Sequence, residues 1–216
     1  TTGSGGALFG MFIGPDRKNV SKYIPSIGQG GTSLPDRDYY LKDDARSSKI
    51  KEAYKMHLKK MFMLAGEDNA SATASAAAVL KIETEFARAQ YSRVEMRDPY
   101  KTYNKFALTE LNTLTPSINW TSQMQLMKVQ GADSILVGNP SFIKRVEALL
   151  GEYPVTEWKS YLRWNIIKSA APYLSSAFVK ADFEFNRVQT GQKEQTPRWQ
   201  RMSSLIDRSL GDLIGQ

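Results

Sequence analysis

From Asp43 onward, apolar side chains recur at spacings of three and four, and no other feature of the chain restricts its possible folds so strongly. Ile50, Tyr54, Leu58, Met61 and Ala65 share one helical face behind a capping Asp43 or Asp44, and Gly66 suits the stop. A second helix, capped by Asn69 or Ser71, runs through an alanine-rich stretch and carries Val79, Ile82, Phe86 and Ala89 as its stripe. Leu108 to Leu114 reads as a short helix before Pro116, and Trp120 to Val129 as another. Asn139-Pro140 is a cap followed by proline at the first helical position, with Phe142, Val146, Leu149 and Leu150 inward and Gly151 as the end. The longest run starts at Thr156 and puts Trp158, Leu162, Ile166, Ala170, Tyr173 and Leu174 on one side, with Pro172 kinking or dividing it. After a polar loop over 189–195, Thr196-Pro197 caps a last helix with Trp199, Met202, Leu205, Ile206, Leu210 and Leu213 inward. Its apolar face is still running at Gln216, so the natural chain is expected to continue.

The expected class is mainly α, with one small β element near the N-terminus. Leu8 to Ile13 and Val20 to Ile27 are extended-looking runs joined by the polar Pro15-Asp16-Arg17-Lys18-Asn19, the pattern of a β-hairpin. An isolated hairpin is marginal in water, so this one should dock on the helices or on a part of the protein beyond this sequence. Ser134 to Val137 reads as a single short strand. The chain divides into residues 1–41, the hairpin and the loop after it, and 42–216, a helical lobe.

Where the two parts meet lies Gly30-Gly31-Thr32-Ser33-Leu34-Pro35-Asp36-Arg37-Asp38-Tyr39-Tyr40. Two glycines permit backbone angles closed to other residues, and Pro35 fixes its own φ while pushing Leu34 extended. The acid-Arg-acid run then carries two adjacent tyrosines. That is a rigid loop delivering polar and aromatic groups to a set place; the plainer reading is a surface turn with solvated charges.

These residues, with the preceding Phe12-Ile13-Gly14-Pro15-Asp16-Arg17-Lys18-Asn19, resemble the non-catalytic lobe of the neprilysin and endothelin-converting-enzyme family of zinc metallopeptidases. Asp98-Pro99-Tyr100-Lys101-Thr102-Tyr103-Asn104-Lys105, Trp158-Lys159-Ser160-Tyr161-Leu162-Arg163-Trp164 and Thr196-Pro197-Arg198-Trp199 extend the likeness from Leu8 to Leu213. The resemblance implies a helical N-terminal lobe that faces a zinc-bearing C-terminal catalytic lobe across an enclosed cavity, admits oligopeptides and limits their size. It implies that Arg37, Asp38, Tyr39 and Tyr40 fix their loop near the junction of the lobes, and that Arg198 with Trp199 anchors the last helix. It also implies an extracytoplasmic setting. Animal members carry disulfides, and this chain has no cysteine, which points to a bacterial member.

The metal chemistry of that family cannot be built from these residues. It needs His-Glu-x-x-His on a helix and a further acidic ligand, whereas this chain has one histidine, His57, and no second ligand at helical spacing from it. Zinc and the catalytic residues are therefore expected in the C-terminal portion, and His57 is expected at the surface or its boundary. No Gly-x-Ser-x-Gly elbow or phosphate-cradling loop is present, and paired acids such as Glu83 with Glu85 read as an ordinary helix surface. Composition excludes further classes. No run of about 18 apolar residues appears, so no transmembrane helix is expected. The excess of 29 Lys and Arg over 22 Asp and Glu is interleaved with acids, so nucleic acid is not an expected partner. Trp158, Tyr161, Trp164 and Trp199 fit a core better than a stacking platform. The rival to the lobe is a free-standing helical module that binds a protein or nucleic acid through its basic surface or an exposed apolar patch.

Overall fold

The computed structural model describes residues 3–214, with side chains from Gly6 onward except for Leu205 and residues 208–214. Among the described residues, nine α-helices and five strands follow in the order β1 (Gly3–Gly5), β2 (Phe9–Asp16), β3 (Asn19–Gln29), α1 (Asp38–Leu41), α2 (Ala45–Leu64), α3 (Asn69–Ala89), β4 (Asn104–Ala107), α4 (Leu108–Leu114), α5 (Trp120–Leu126), β5 (Ser134–Val137), α6 (Pro140–Glu152), α7 (Val155–Ala170), α8 (Ser176–Thr190) and α9 (Arg198–Ile214). The molecule is mainly helical, with the expected N-terminal hairpin.

That hairpin is part of a larger sheet, ordered β1-β2-β3-β5-β4. β2 and β3 pair antiparallel with Phe12 opposite Ser26, and β5 adds parallel to β3 with Ile27 opposite Val137. The hairpin therefore finds its partner in a strand more than 100 residues away along the sequence. β4 has no counterpart in the expected elements, because Asn-Lys-Phe-Ala is too short and mixed to show a period of two. Its pairing with β5 supplies the order that its sequence does not.

Side-chain caps set the starts of several helices. α2 buries Ile50, Tyr54, Leu58 and Met61 as the spacing predicts, and Asp44 caps it by accepting from the backbone N–H groups of Arg46 and Ser47. Ala65 lies outside the buried face, as the residue that closes the helix. Asp68, rather than Asn69 or Ser71, caps α3; its short carboxylate reaches the N–H groups of Ala70 and Ser71. Gly151 does not end α6, which continues through Glu152.

The largest correction concerns α7. It buries Trp158, Tyr161 and Trp164, not Leu162 and Ile166, and Ile166 is 67% exposed. The three aromatic rings bring more apolar area to the interface than the aliphatic stripe could, and they set the rotation of the helix. Phe86 of α3 meets the rings of Trp158 and Tyr161 at 6.3 and 5.7 Å, and Tyr54 of α2 meets Trp164 at 6.1 Å. Pro172 divides the run, giving a 3-10 turn at Ala171–Tyr173 before α8. α8 extends to Thr190, through the first residues expected to form a loop, and stops at Gly191 in the left-handed conformation.

Candidate functional site

The Gly-Gly-Leu-Pro loop is held by a buried polar cluster centred on Glu83 of α3. This glutamate is 0% exposed. Its Oε1 accepts from Ser33 Oγ at 2.7 Å, and its Oε2 accepts from both Tyr40 and Tyr54 hydroxyls at 2.8 Å. The Tyr40 oxygen in turn accepts the backbone N–H groups of Ser33 and Leu34, at 3.0 and 2.8 Å. Ser33 Oγ also accepts from Trp164 Nε1 at 3.0 Å and Lys168 Nζ at 3.1 Å. With Glu83 ionised every member has a partner, the condition under which a buried network rigidifies a fold. Burial raises the Glu83 carboxyl above the usual carboxylate range while Ser33, Tyr54 and Tyr40 pull it down. Burial lowers the Lys168 ammonium, and the charge of Glu83 opposes that.

Other side chains clamp the loop from its remaining sides. The Tyr161 hydroxyl shares its proton between the carbonyls of Ala7, ahead of β2, and Gly31, after β3, tying α7 to both segments. Gln90 Nε2 donates to the Gly30 carbonyl at 2.9 Å. Asn139 caps α6 through Phe142 N–H and donates from Nδ2 to Gln29 Oε1 at 2.9 Å and the Ala89 carbonyl at 3.0 Å. Gly31 has φ +79°, and a Cβ there would lie 2.7 Å from Phe86 Cδ2. Glycine is thus required both by conformation and by close approach.

The motif residues separate on this frame. Arg37 donates to the Gln90 carbonyl, and Tyr40 belongs to the Glu83 cluster. Asp38 heads α1 and pairs with Lys42 at 2.6 Å in a partly exposed position, and Tyr39 is half-buried against the core. Arg198 and Trp199 lie elsewhere, at the start of α9. Trp199 is 72% exposed and so does not face inward. Leu205, Leu210 and Leu213, also expected on the inner face of α9, lie outside the residues whose side chains are described.

Glu83, read from sequence as part of a surface pair, is the centre of the cluster. The signal was available: Glu83 stands four residues after Val79, between Ile82 and Phe86, so it falls on the apolar stripe itself. His57 is likewise buried, its ring stacked on Phe185 at 4.7 Å and edge-on to Trp164 at 5.6 Å. Burial pushes its pKa down to about 4. Enclosed by aromatic rings, it is no metal ligand, and among the described residues no three His, Cys, Asp or Glu side chains gather as an ion would require. The residues present do not fit zinc.

Over residues 1–216 the chain matches the sequence model for the N-terminal part of peptidase family M13. The chain belongs to that family. This M13 chain is 27% identical over 214 residues to endothelin-converting enzyme 1 of Rattus norvegicus, covering 96% of the chain and 28% of that enzyme. It is 28% identical over 221 residues to the endothelin-converting enzyme homolog of Locusta migratoria, covering 97% of the chain and 30% of the homolog. Among solved structures, the zinc metalloprotease Zmp1 of Mycobacterium tuberculosis in its open state matches with a TM-score of 0.89 at 30% identity, over 99% of the chain and 33% of Zmp1. PepO from Lactobacillus rhamnosis HN001 shares the fold, with a TM-score of 0.81 at 19% identity, over 96% of the chain and 33% of PepO. The M13 chain spans less than a third of the length of the curated relatives it matches.

Proposed function

We propose that this chain is the non-catalytic N-terminal lobe of a zinc-dependent endopeptidase that hydrolyses peptide bonds in oligopeptides, and that it helps to enclose the substrate cavity and restrict substrate size. The observation that carries this reading is a pairing of two facts. Nearly the whole chain corresponds to one third of a larger zinc metalloprotease, and its own donor set fits no zinc. Zinc and the catalytic residues then belong to a C-terminal lobe, and this lobe contributes walls and positioning.

The surface supports such a partner. Leu162 and Ile166, four residues apart on α7, are large apolar side chains left exposed, a face open to a partner surface. The loop held by Arg37, Tyr40 and Glu83 gives the lobe a stiff edge, and we place that edge at the junction of the lobes. Among the described residues no helix is long and apolar enough to cross a membrane.

The test is to express the natural full-length protein beside residues 1–216 and assay both on a short peptide with and without a chelator. The reading expects cleavage by the longer form alone, abolished by the chelator. Chelator-resistant cleavage by residues 1–216 would contradict it.

A further inference from the structure

Between the turn at Ala171–Tyr173, the first turns of α8 and the start of α9 lies a cleft of about 420 Å³, within the range of ligand sites. Lys180, Arg198 and Arg201 line it, and no carboxylate does. This sets it apart from the other clefts described on this surface, each of which is lined by an acid paired with a lining cation. Glu184 holds Lys60 at 2.6 Å, Asp16 holds Lys105 at 3.4 Å, Asp36 holds Arg93 at 2.6 Å and Glu85 holds Arg88. Glu184 lies one turn on from Lys180, but its carboxylate is engaged by Lys60. Among the described residues no ion pair involves Lys180, Arg198 or Arg201. The wall between the cations is apolar, with exposed Tyr173 and Leu174 and half-buried Met202. Ser175 supplies no side-chain cap to the first turn of α8, which borders the same cleft.

We infer that this cleft is an accessory binding site for an extended acidic peptide segment, with carboxylates meeting Lys180, Arg198 and Arg201 and an intervening apolar side chain resting on Tyr173, Leu174 and Met202. The inference rests on the peptidase reading and names the class of substrate that reading leaves open: oligopeptides carrying acidic residues away from the bond that is cut. Charge complementarity carries it, because the cations have no internal carboxylate to compete with the ligand.

The first arm measures fluorescence anisotropy of a labelled peptide of alternating glutamate and leucine, and of its glutamine counterpart, with this chain. The acidic peptide should bind about tenfold more tightly than the neutral one, and binding should weaken as salt rises from about 50 to about 300 mM. Arg198→Glu with Arg201→Glu should lose about tenfold, whereas Lys59→Glu on α2 should change nothing. Circular dichroism shows whether each variant keeps its fold, and Lys180→Glu serves as an independent variant. Equal binding of the two peptides, or unchanged binding in folded Arg198→Glu with Arg201→Glu, overturns the inference. So does binding to phosphatidylglycerol vesicles without binding to the peptide. The second arm uses the natural full-length protein. A lower KM for a cleavable peptide bearing the acidic segment than for its glutamine counterpart supports the site, and cleavage with equal KM overturns it. Absence of any peptide cleavage strikes the peptidase reading instead, and the binding arm then decides the cleft alone.

Discussion

Tyr40 and Glu83 are joined by a 2.8 Å hydrogen bond that links the start of the helical part to the middle of α3, and the same Tyr40 oxygen accepts the backbone N–H groups of Ser33 and Leu34. One phenol thus ties the loop backbone to a buried carboxylate. The loop is stiff because its amides end in a network that also contains Tyr54, Trp164 and Lys168.

Glu83→Gln should therefore destabilise the chain by about 2–3 kcal/mol, because an amide group would face hydroxyls that need an acceptor and Lys168 would lose its counter-charge. Urea denaturation followed by circular dichroism measures it. A loss comparable to that of an ordinary surface substitution would show that the cluster does not hold the loop.

Glycine at position 31 gives a sharper comparison. Gly31→Ala adds a methyl 2.7 Å from the Phe86 ring at φ +79°, whereas Gly66→Ala, at φ +95°, meets nothing within 4 Å. The first should cost about 3 kcal/mol and the second about 1 kcal/mol, the strain of the left-handed conformation alone. Equal losses in thermal or urea unfolding would contradict the close packing of the loop on Phe86.

His57 makes the fold sensitive to acid. Its folded pKa of about 4 lies below the unfolded value of 6.5, so the folded state binds fewer protons between these values. Stability from this group is complete above pH 6.5 and is lost as pH falls to about 4, by an amount on the order of 3 kcal/mol. The raised pKa of Glu83 acts with the opposite sign: stability falls as pH rises from the ordinary carboxyl value through the folded one. The difference between the wild type and His57→Phe isolates the histidine. Acidification through this window should shift that difference in favour of His57→Phe, and a constant difference would contradict the buried neutral ring.

The two Asx caps differ in what else they hold. Asn139 is buried and donates to Gln29 and Ala89 while it caps α6, whereas Asp44 caps α2 in an exposed position. Asn139→Ala should cost about 2–3 kcal/mol and Asp44→Ala about 1 kcal/mol. Equal costs in urea unfolding would show that the contacts to Gln29 and Ala89 add nothing.

These cases also show what could be read from the sequence. Asn139-Pro140 carried a complete start signal and placed α6, and Ser134–Val137 was bounded well enough to be read as a strand. Such signals are local. The rotation of α7 was not local, since it depends on Phe86 and Tyr54 of other helices offering surfaces that fit rings. β4 depends on β5. Arg37 and Tyr40 were singled out by motif, but their partners were invisible, because Gln90 and Glu83 are polar residues that only the packed structure brings to the loop. For His57 the signal is local, as it is for Glu83: it stands three residues after Tyr54 and four before Met61, on the buried face of α2, and Phe185 completes its enclosure.

The proposed role as a size-limiting lobe is tested most directly by the natural full-length protein acting on one cleavable sequence presented in three forms: a short peptide, the same peptide within a long unfolded chain, and the same peptide in an exposed loop of a folded protein. The account predicts that kcat/KM is highest for the short peptide, falls for the long chain and vanishes for the folded protein. Cleavage of the folded protein at a rate comparable to that of the short peptide would contradict it.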